Sequence, residues 1–578
     1  MTSVCYCRNP ELVNTAQTGT IGQTWHPVRP AVVENAYGGS GLRQGVGYTQ
    51  SQLHGVHALP LAHAVADVAN VLWCVRIATL APLMRRIAMA GMLPNYVASA
   101  KPVPKENRTP WYASTAPTYA GIFLWFVFWH QVPVIKELVR GSGIPLNAGG
   151  ALSQGIGIAL LALVVSALLC HYLFYLVPGN LGVKTGLPLY IVGTSTYGVQ
   201  GGFIMPGFLM GCLQFGWLAV NAFFTTGLLC APFGVGFGDP TYAIVAVVFV
   251  VLATFMGLKG IQYVGRVATY LPLFPLTILI VLALVSVGGL VQFDHKKLVE
   301  AGKESLPAAT QSESGANPQA AEAPKAADAL TVWGVFVAIA TYVVGFFATA
   351  GAAGVDFGMG NRDENDVKWG GLVGIAGAII LTGGLSLLIA AGAAGAGLLE
   401  KPPVLQTSTI MGKLAPSLGE AAPGVFWYLL AIAAFPPACF SSFIAANSFK
   451  TTLPKVNPFV SCGIGALVAI LLVLSGYAGN AAGVFTIIGA SFGPVCGAMA
   501  ADYLLAGKRW AGPRAGFNPA GWISWIVGFV VGGIDLVLGT SYVPCPPVAA
   551  FIVGFVLYGV LAVAGLETET LEMPAEEA

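Results

Sequence analysis

Two stretches, GIFLWFVFWHQVPVIKEL at 121–138 and VGFFATAGAAGVD at 344–356, decide the fold of this chain. Both are apolar runs of the kind that cross a bilayer, and both are interrupted near their middle. The first carries His130, Gln131 and Pro133 there, and the second carries closely spaced glycines. Because proline removes a backbone donor and glycine weakens a helix, both stretches predict membrane helices that break near mid-depth.

The composition is that of a membrane protein. Of 578 residues, 56% are hydrophobic and 9% are charged, whereas soluble domains carry roughly 25% charged residues. The formal net charge is only +2, which is too weak and too dispersed for nucleic-acid binding. These figures exclude a disordered protein, a coiled coil and a soluble multidomain enzyme. A bilayer forces each spanning segment to satisfy its own backbone hydrogen bonds, so we predict an all-α polytopic membrane protein.

Apolar runs separated by short polar breaks predict about twelve transmembrane helices. The first five fill 117–292, the next five fill 331–505, and the last two fill 506–565. The other predicted segments are an N-terminal extension of uncertain status over 1–91, with Met92 as a candidate native start, a cytoplasmic juxtamembrane segment over 92–116, a flexible extracytoplasmic loop over 293–330 and a cytoplasmic tail over 566–578. Most loop Lys and Arg residues lie on the side of the first helix's N-terminus, which favours cytoplasmic termini in a plasma-membrane protein.

The two interrupted stretches belong to spans one and six, which hold the same place in the two groups of five helices. Broken helices at equivalent positions point to a substrate site near the midplane of an inverted-repeat transporter. The alternative is that proline and glycine, which are common in membrane helices, only help the helices to pack.

Span three supplies a second candidate feature, CLQFGWLAVNAFF at 212–224. Gln214, Trp217 and Asn221 are spaced i, i+3, i+7 and therefore line one helix face. An indole beside two amides suits a flat, neutral ligand with hydrogen-bonding edges. The alternative is a helix–helix contact in which the amides bond to a neighbouring backbone.

Enzyme signals are weak. GASFG at 489–493 matches the nucleophile pattern GxSxG, but it lies inside an apolar helix and no histidine follows His295. GNLGVKT at 179–185 lacks the glycine before lysine that a P-loop requires. Most cysteines lie in apolar runs without metal-ligand spacing. We predict no enzyme activity, no metal site and no cofactor.

Three longer segments together resemble the nucleobase:cation symporter-1 family, which includes cytosine and purine permeases. PGNLGVKTGLPLYIVGTSTYGVQGGFIMPGFLMGCLQFGWLAVN at 178–221 resembles the region of spans two and three, AGAAGVDFGMGNRDE at 350–364 the exit of span six, and ASFGPVCGAMAADYLLAGKR at 490–509 the end of span ten. Residues 1–91 have no counterpart in this resemblance.

The resemblance implies a LeuT-like fold of two inverted five-helix repeats plus two extra helices. It also implies a secondary active importer that carries a nucleobase (cytosine first, or a purine or related heterocycle) with a cation by alternating access. In such proteins the substrate lies between two aromatics, which match Trp217 and Phe347 here. The implied polar contacts are Asn221, His130, Gln131 and Ser441 or Ser442, although packing explains the two serines equally well.

The coupling ion is a further expectation. Sodium-using members of the family carry two adjacent hydroxyl residues in span eight, and those positions are Pro436 and Pro437 here. Proline has no side-chain oxygen, so we expect H+ rather than Na+, although backbone carbonyls around Ala433 can still hold a cation. His130 is the membrane side chain best suited to carry the proton. The alternative is a neutral histidine that only shapes the break.

Two other functions remain open at this point. A membrane-embedded enzyme needs an acid–base or metal cluster, which Asp356, Asp502, Asp535 and the scattered histidines do not obviously form. A channel or a transport-dead sensor can share the same fold. The expected partners are therefore a small-molecule nucleobase, a coupling cation and the lipid bilayer.

Overall fold

Helices account for the predicted spans in the computed structural model, which describes residues 93–135, 147–268, 270–313, 328–399, 403–538 and 542–573. Within these ranges, ten helices are long and apolar enough to cross a membrane. They are spans two to eight and ten to twelve: Ile156–Thr185, Phe203–Phe233, Pro240–Lys259, Ile261–Leu290, Val332–Ala352, Glu364–Gly395, Ala422–Thr452, Ala481–Leu505, Pro519–Leu538 and Pro546–Val563. The prediction of an all-α polytopic membrane protein is confirmed. The extension over 1–91 and the candidate start at Met92 lie outside the described residues.

Span nine is the shorter apolar helix Pro458–Leu474. Span one consists of two short helices, Thr115–Leu124 and Phe126–Gln131. The helices between spans are Asn95–Ala98, Leu189–Val192, Thr194–Tyr197, His295–Glu313 and Thr407–Leu414, and Gly354–Gly358 continues span six.

The break in span one lies at Trp125, earlier than the sequence predicted. Trp125 has φ −58° and ψ 123°, which is an extended conformation between two helices. The break leaves the carbonyl of Leu124 without a helical donor, and the indole N–H of Trp129 donates to it at 3.1 Å. Pro133 follows the last helical residue, Gln131, so it helps to end the span and does not interrupt its middle.

Span six is interrupted at Ala353, between Val332–Ala352 and Gly354–Gly358. This is the glycine-rich position that the sequence predicted. Spans one and six lie side by side and antiparallel, as their contacts show in order along span one. The pairs are Thr115 with Asn361, Tyr119 with Ala350, Phe123 with Phe347, and Phe128 with Tyr342. The C-terminal ends of the two broken helices therefore lie at opposite ends of the bundle.

Spans two and seven, which are equivalent members of the two repeats, each contain a π-helical turn. The turns are Cys170–Tyr175 and Leu372–Gly377. The two spans approach closely beside these turns, since a Cβ atom added at Gly371 would clash with the Tyr175 ring. Such wide turns are rare and occur frequently at functional sites.

The segment 293–330 differs from the flexible loop that the sequence predicted. Its first part is a helix, His295–Glu313. Leu298 is only 6% exposed, and a Cβ atom at Gly302 would lie 3.2 Å from Ala148. One face of this helix thus packs on the segment that precedes span two, and this tertiary contact outweighs the polar composition of the segment.

Candidate functional site

Four aromatic side chains meet where spans one, three, six and ten come together, and we call them the aromatic cluster: Trp125, Trp217, Phe346 and Phe485. The Trp217 ring lies 4.8 Å from Phe346, edge to face, and 5.2 Å from Phe485. Trp125 lies 5.8 Å from Trp217 and 6.1 Å from Phe346. The cluster is therefore built around the break of span one, and Phe346 lies two helical turns before the break of span six.

The two indoles bring hydrogen-bond donors to this apolar place. The Trp217 N–H donates to the Thr349 hydroxyl at 3.3 Å. The Trp125 side chain is 6% exposed, and its N–H has no hydrogen-bond partner in the described part of the chain. An unpaired buried donor costs about 1–3 kcal/mol. The cluster thus offers a ligand both stacking faces and a donor that lacks an acceptor.

Phe347 does not occupy the place that the resemblance implied. Its ring neighbours are Tyr119 and Phe123, each 5.8 Å away, and it stacks on Phe123. Adjacent helical residues point about 100° apart, so Phe346 faces Trp217 while Phe347 faces span one. In the structure Trp217 therefore contacts Phe346, the residue before the Phe347 that the resemblance implied.

Asn221 joins span three to span eight. Its amide N–H donates to the Ala434 carbonyl at 3.0 Å, and its oxygen accepts from the Thr225 hydroxyl at 2.9 Å. This is the helix–helix contact that the sequence left open as the alternative. Gln214 is buried and donates to the Met210 sulfur at 3.6 Å.

His130 and Gln131 lie in the second half of span one, beyond its break, and both are buried. The Nδ1 atom of His130 accepts a hydrogen bond from the backbone N–H of Ser408 at 3.2 Å, and its ring lies 5.4 Å from Phe224. Its Nε2 atom has no partner among the described residues. An Nδ1 that accepts a hydrogen bond belongs to a neutral imidazole. The carbonyl of Gln131 accepts from Val134 at 3.0 Å.

Span eight carries its prolines inside a continuous helix. Pro436 and Pro437 lack N–H groups, so the carbonyls of Ile432 and Ala433 have no helical donor from them. Ser441 donates to the Pro437 carbonyl at 3.2 Å. Ser442 instead faces span four, where its hydroxyl lies 3.5 Å from that of Thr254. The Ala433 carbonyl thus remains a candidate cation ligand, and in this structure the Ser442 hydroxyl contacts span four.

A second polar group of residues went unnoticed in the sequence. Asp502 of span ten accepts hydrogen bonds from the hydroxyls of Ser195 and Thr196 at 2.6 and 3.0 Å. Arg514 pairs with Asp502 at 2.9 Å and with Glu567 at 2.8 Å. Burial alone would lower the pKa of Arg514, but the neighbouring Asp502 and Glu567 carboxylates hold it above its ordinary value. We call these five residues the arginine network.

The arginine network joins distant segments, which explains why a linear pattern did not indicate it. The ADY sequence around Asp502 was visible, but its hydroxyl partners come from the loop after span two. Its ion-pair partner Arg514 comes from the loop after span ten, and Arg514 in turn binds Glu567 of the tail after span twelve. A cavity of about 430 Å³ lies beside Arg514 and is lined partly by Arg509, Trp510 and Glu567. It belongs to this network, whereas the rings of the aromatic cluster pack on one another.

Two helices broken at equivalent positions of antiparallel repeats, with a buried aromatic cluster beside them, define an inverted-repeat membrane transporter rather than an enzyme. The described residues contain no group of three His, Cys, Asp or Glu side chains that could hold a metal ion. Residues 121–553 match the family described as permease for cytosine/purines, uracil, thiamine, allantoin, and the chain belongs to this family. It is thus a secondary transporter of the nucleobase–cation symporter type.

Solved structures agree on the fold. The inward-facing conformation of Mhp1 is 14% identical, with a TM-score of 0.55 over 82% of this chain and 94% of that chain. A closed conformation of Mhp1, a nucleobase-cation-symport-1 family transporter with bromovinylhydantoin bound, is 15% identical, with a TM-score of 0.51 over 82% of this chain and 96% of that chain. No curated protein matches the chain significantly.

Proposed function

We propose that this protein imports a nucleobase or a related flat heterocycle, with cytosine or a purine as the first candidates, together with a cation. The aromatic cluster is the observation that carries the proposal. Stacking on an aromatic side chain is worth about 1–3 kcal/mol per base and tolerates any base. The unpaired Trp125 N–H adds selection for a ring that presents a carbonyl or a bare ring nitrogen.

In this proposal the base enters between Trp217 and Phe346, whose edge-to-face contact opens to admit it. Trp217 and Phe346 then stack on the two faces of the base. Phe347 packs against span one, on the side of span six that faces away from Trp217. Asn221 fixes span three against span eight, and its amide contacts the base only if it releases Ala434. The bromovinylhydantoin in the Mhp1 structure supports a ring of this general class.

The coupling ion in the proposal is H+. Pro436 and Pro437 stand where sodium-using relatives carry hydroxyls, so a hard cation would find fewer oxygen ligands there. His130 is the proposed proton carrier. Its Nδ1 atom is engaged by the Ser408 N–H, so a proton takes that nitrogen only after Ser408 has moved away.

The proposed setting is the plasma membrane, with both termini in the cytoplasm. In that orientation the C-terminal end of span one, with His130, faces outwards, and the C-terminal end of span six, with Asp356, faces the cytoplasm. Glycosylation-site or cysteine tags placed at either terminus test this orientation directly.

One uptake experiment tests the function. The full chain is expressed in cells that lack their own nucleobase permeases, and uptake of labelled cytosine is measured against an excess of unlabelled purines, pyrimidines, hydantoin, thiamine and allantoin. We expect concentrative uptake that at least one base suppresses. Uptake that only equilibrates across the membrane would identify a channel, and no competition by any base would contradict the proposed substrate class.

A further inference from the structure

We propose that His130 and Asp356 are the acceptors of two matched hydrogen-bond latches that close opposite ends of the transport pathway. The inference rests on the coupled import proposed above, carried out by alternating access. Each latch joins one of the two broken helices to a short helix in a loop between spans. We call these short helices the first loop helix, Leu189–Val192, and the second loop helix, Thr407–Leu414.

The second loop helix begins without a local cap. Its preceding residue, Gln406, makes no side-chain capping bond to it, and the first N–H groups of any helix have no acceptor within the helix. The N–H of Ser408, in the first turn, donates to Nδ1 of His130 in span one at 3.2 Å. A side chain far away in sequence therefore caps this loop helix.

The first loop helix begins in the same way. It follows Pro188, whose side chain offers no acceptor, and it too has no side-chain cap. The N–H of its first residue, Leu189, donates to the Oδ1 atom of Asp356 in span six at 2.8 Å. Again the acceptor comes from a broken membrane helix and not from the loop.

The two latches correspond under the inverted repeat. Each loop helix lies between the second and third spans of its own repeat, and each acceptor belongs to the broken helix of the other repeat. His130 follows the break at Trp125, and Asp356 follows the break at Ala353. Because spans one and six are antiparallel, the two bonds lie at opposite ends of the bundle.

Further contacts hold each loop helix to the bundle on its own side. At the second loop helix, Thr407 shares a 2.7 Å hydrogen bond with Ser386 of span seven, and Ser386 also donates to the Trp129 carbonyl. On the other side, Asp502 of span ten binds the hydroxyls of Ser195 and Thr196 just beyond the first loop helix. Loss of one latch therefore loosens one end without dismantling the whole loop.

The chemistry explains why these bonds belong to closed ends. A buried N–H that loses its acceptor is costly unless water replaces it. Each loop helix can therefore leave its latch only when water reaches that end of the bundle. Opening of the pathway admits this water. A structure with both bonds formed, and with the aromatic rings in contact, corresponds to a transporter closed at both ends.

Cysteine labelling tests the latches without any substrate. Ala415, directly after the second loop helix, and Ile191, within the first loop helix, are both fully buried. Each is changed to cysteine in a full-length background whose ten native cysteines are replaced, and a membrane-impermeant maleimide is applied to right-side-out and inside-out vesicles. His130→Phe keeps a ring without an acceptor, and Asp356→Leu keeps side-chain volume without one.

We expect His130→Phe to speed labelling of Ala415→Cys about tenfold, which corresponds to about 1.4 kcal/mol, and to leave Ile191→Cys unchanged. Asp356→Leu should do the reverse, from the opposite face of the membrane. His130→Asn and Asp356→Asn, which retain an acceptor near the same place, should label at nearly the original rate. Unchanged labelling in the first two variants, or equal increases at both reporters, would overturn the proposal. Since no base is present, failure of the substrate assignment leaves this outcome unaffected.

Discussion

The indole N–H of Trp217 donates to the hydroxyl of Thr349 across 3.3 Å and joins span three to span six just before span six breaks. Phe346 lies one turn before Thr349 and presents its ring to the same indole. A single helix face of span six thus supplies both an aromatic surface and a polar anchor to Trp217. In the proposed site, this is the face of span six that meets the base.

Substitutions at Phe346 and Phe347 distinguish the face of span six that contacts Trp217 from the face that contacts span one. We expect Phe346→Leu to weaken the apparent affinity for the transported base about 5–150-fold, since a stacking surface worth about 1–3 kcal/mol is lost. Phe347→Leu is the matched control, because the same change is made one residue later against Tyr119 and Phe123. Competition uptake at equal surface expression measures both. A larger loss of affinity in Phe347→Leu than in Phe346→Leu would indicate that Phe347, and not Phe346, stacks on the base opposite Trp217.

The periodicity of a helix explains why sequence reasoning reached span six but did not indicate which phenylalanine contacts Trp217. Family resemblance gave the approximate position, whereas facing direction depends on helix rotation, and one residue changes it by about 100°. The break of span one also lies at a different residue from the one predicted, for a related reason. Pro133 is the visible signal, but the chain breaks at Trp125, where indole contacts and the Trp129 bond to Leu124 stabilise an extended residue.

Features that depend on local hydropathy were predictable, and those that depend on distant contacts were not. The spans follow from apolar runs, because a bilayer demands continuous apolar helices. The arginine network could not be predicted, since Ser195, Asp502 and Glu567 meet only after folding. The helix His295–Glu313 could not be predicted for the same reason, because it packs on a segment distant in sequence, the one that precedes span two.

The Trp125 indole makes a separate prediction about selectivity. Trp125→Phe keeps an aromatic ring and removes the N–H that lacks a partner. We expect bases that present an acceptor to lose affinity by about 1–3 kcal/mol, because they lose a buried hydrogen bond, while rings without an acceptor are little affected. A panel of competing bases measures the change in ranking. An unchanged ranking would exclude Trp125 from contact with the base edge.

Asn221 should act mainly on stability. Asn221→Ala leaves the Ala434 carbonyl and the Thr225 hydroxyl without this partner, so we expect a loss of about 1–3 kcal/mol in the stability of the folded protein. The melting temperature of purified protein measures it, with Thr225→Val as a milder control. A changed order of competing bases without a loss of stability would instead place Asn221 at the substrate.

The arginine network offers a test of buried charge. Arg514→Met leaves the buried Asp502 without its ion-pair partner, a loss that typically costs about 3–5 kcal/mol. We expect a large drop in melting temperature for this variant and partial recovery in the double variant Asp502→Asn/Arg514→Met. Glu567→Gln should cost less, because Glu567 is more exposed than Asp502. Equal stability of Arg514→Met and the original protein would show that the tail and the loop after span two do not depend on this charge.

The last prediction concerns the coupling ion and is based on the two prolines of span eight. Pro436 and Pro437 offer no hydroxyl oxygens, so uptake should continue when choline replaces sodium and should collapse when a protonophore dissipates the pH gradient. The double variant Pro436→Ser/Pro437→Thr supplies two hydroxyls, the ligand type that a hard cation prefers, and should gain stimulation by sodium. His130→Ala should flatten the pH dependence of uptake between about pH 5 and 8, the range in which histidine changes charge. A strict sodium requirement in the original protein would refute proton coupling, whereas pH dependence that survives in His130→Ala would refute only the role of that histidine.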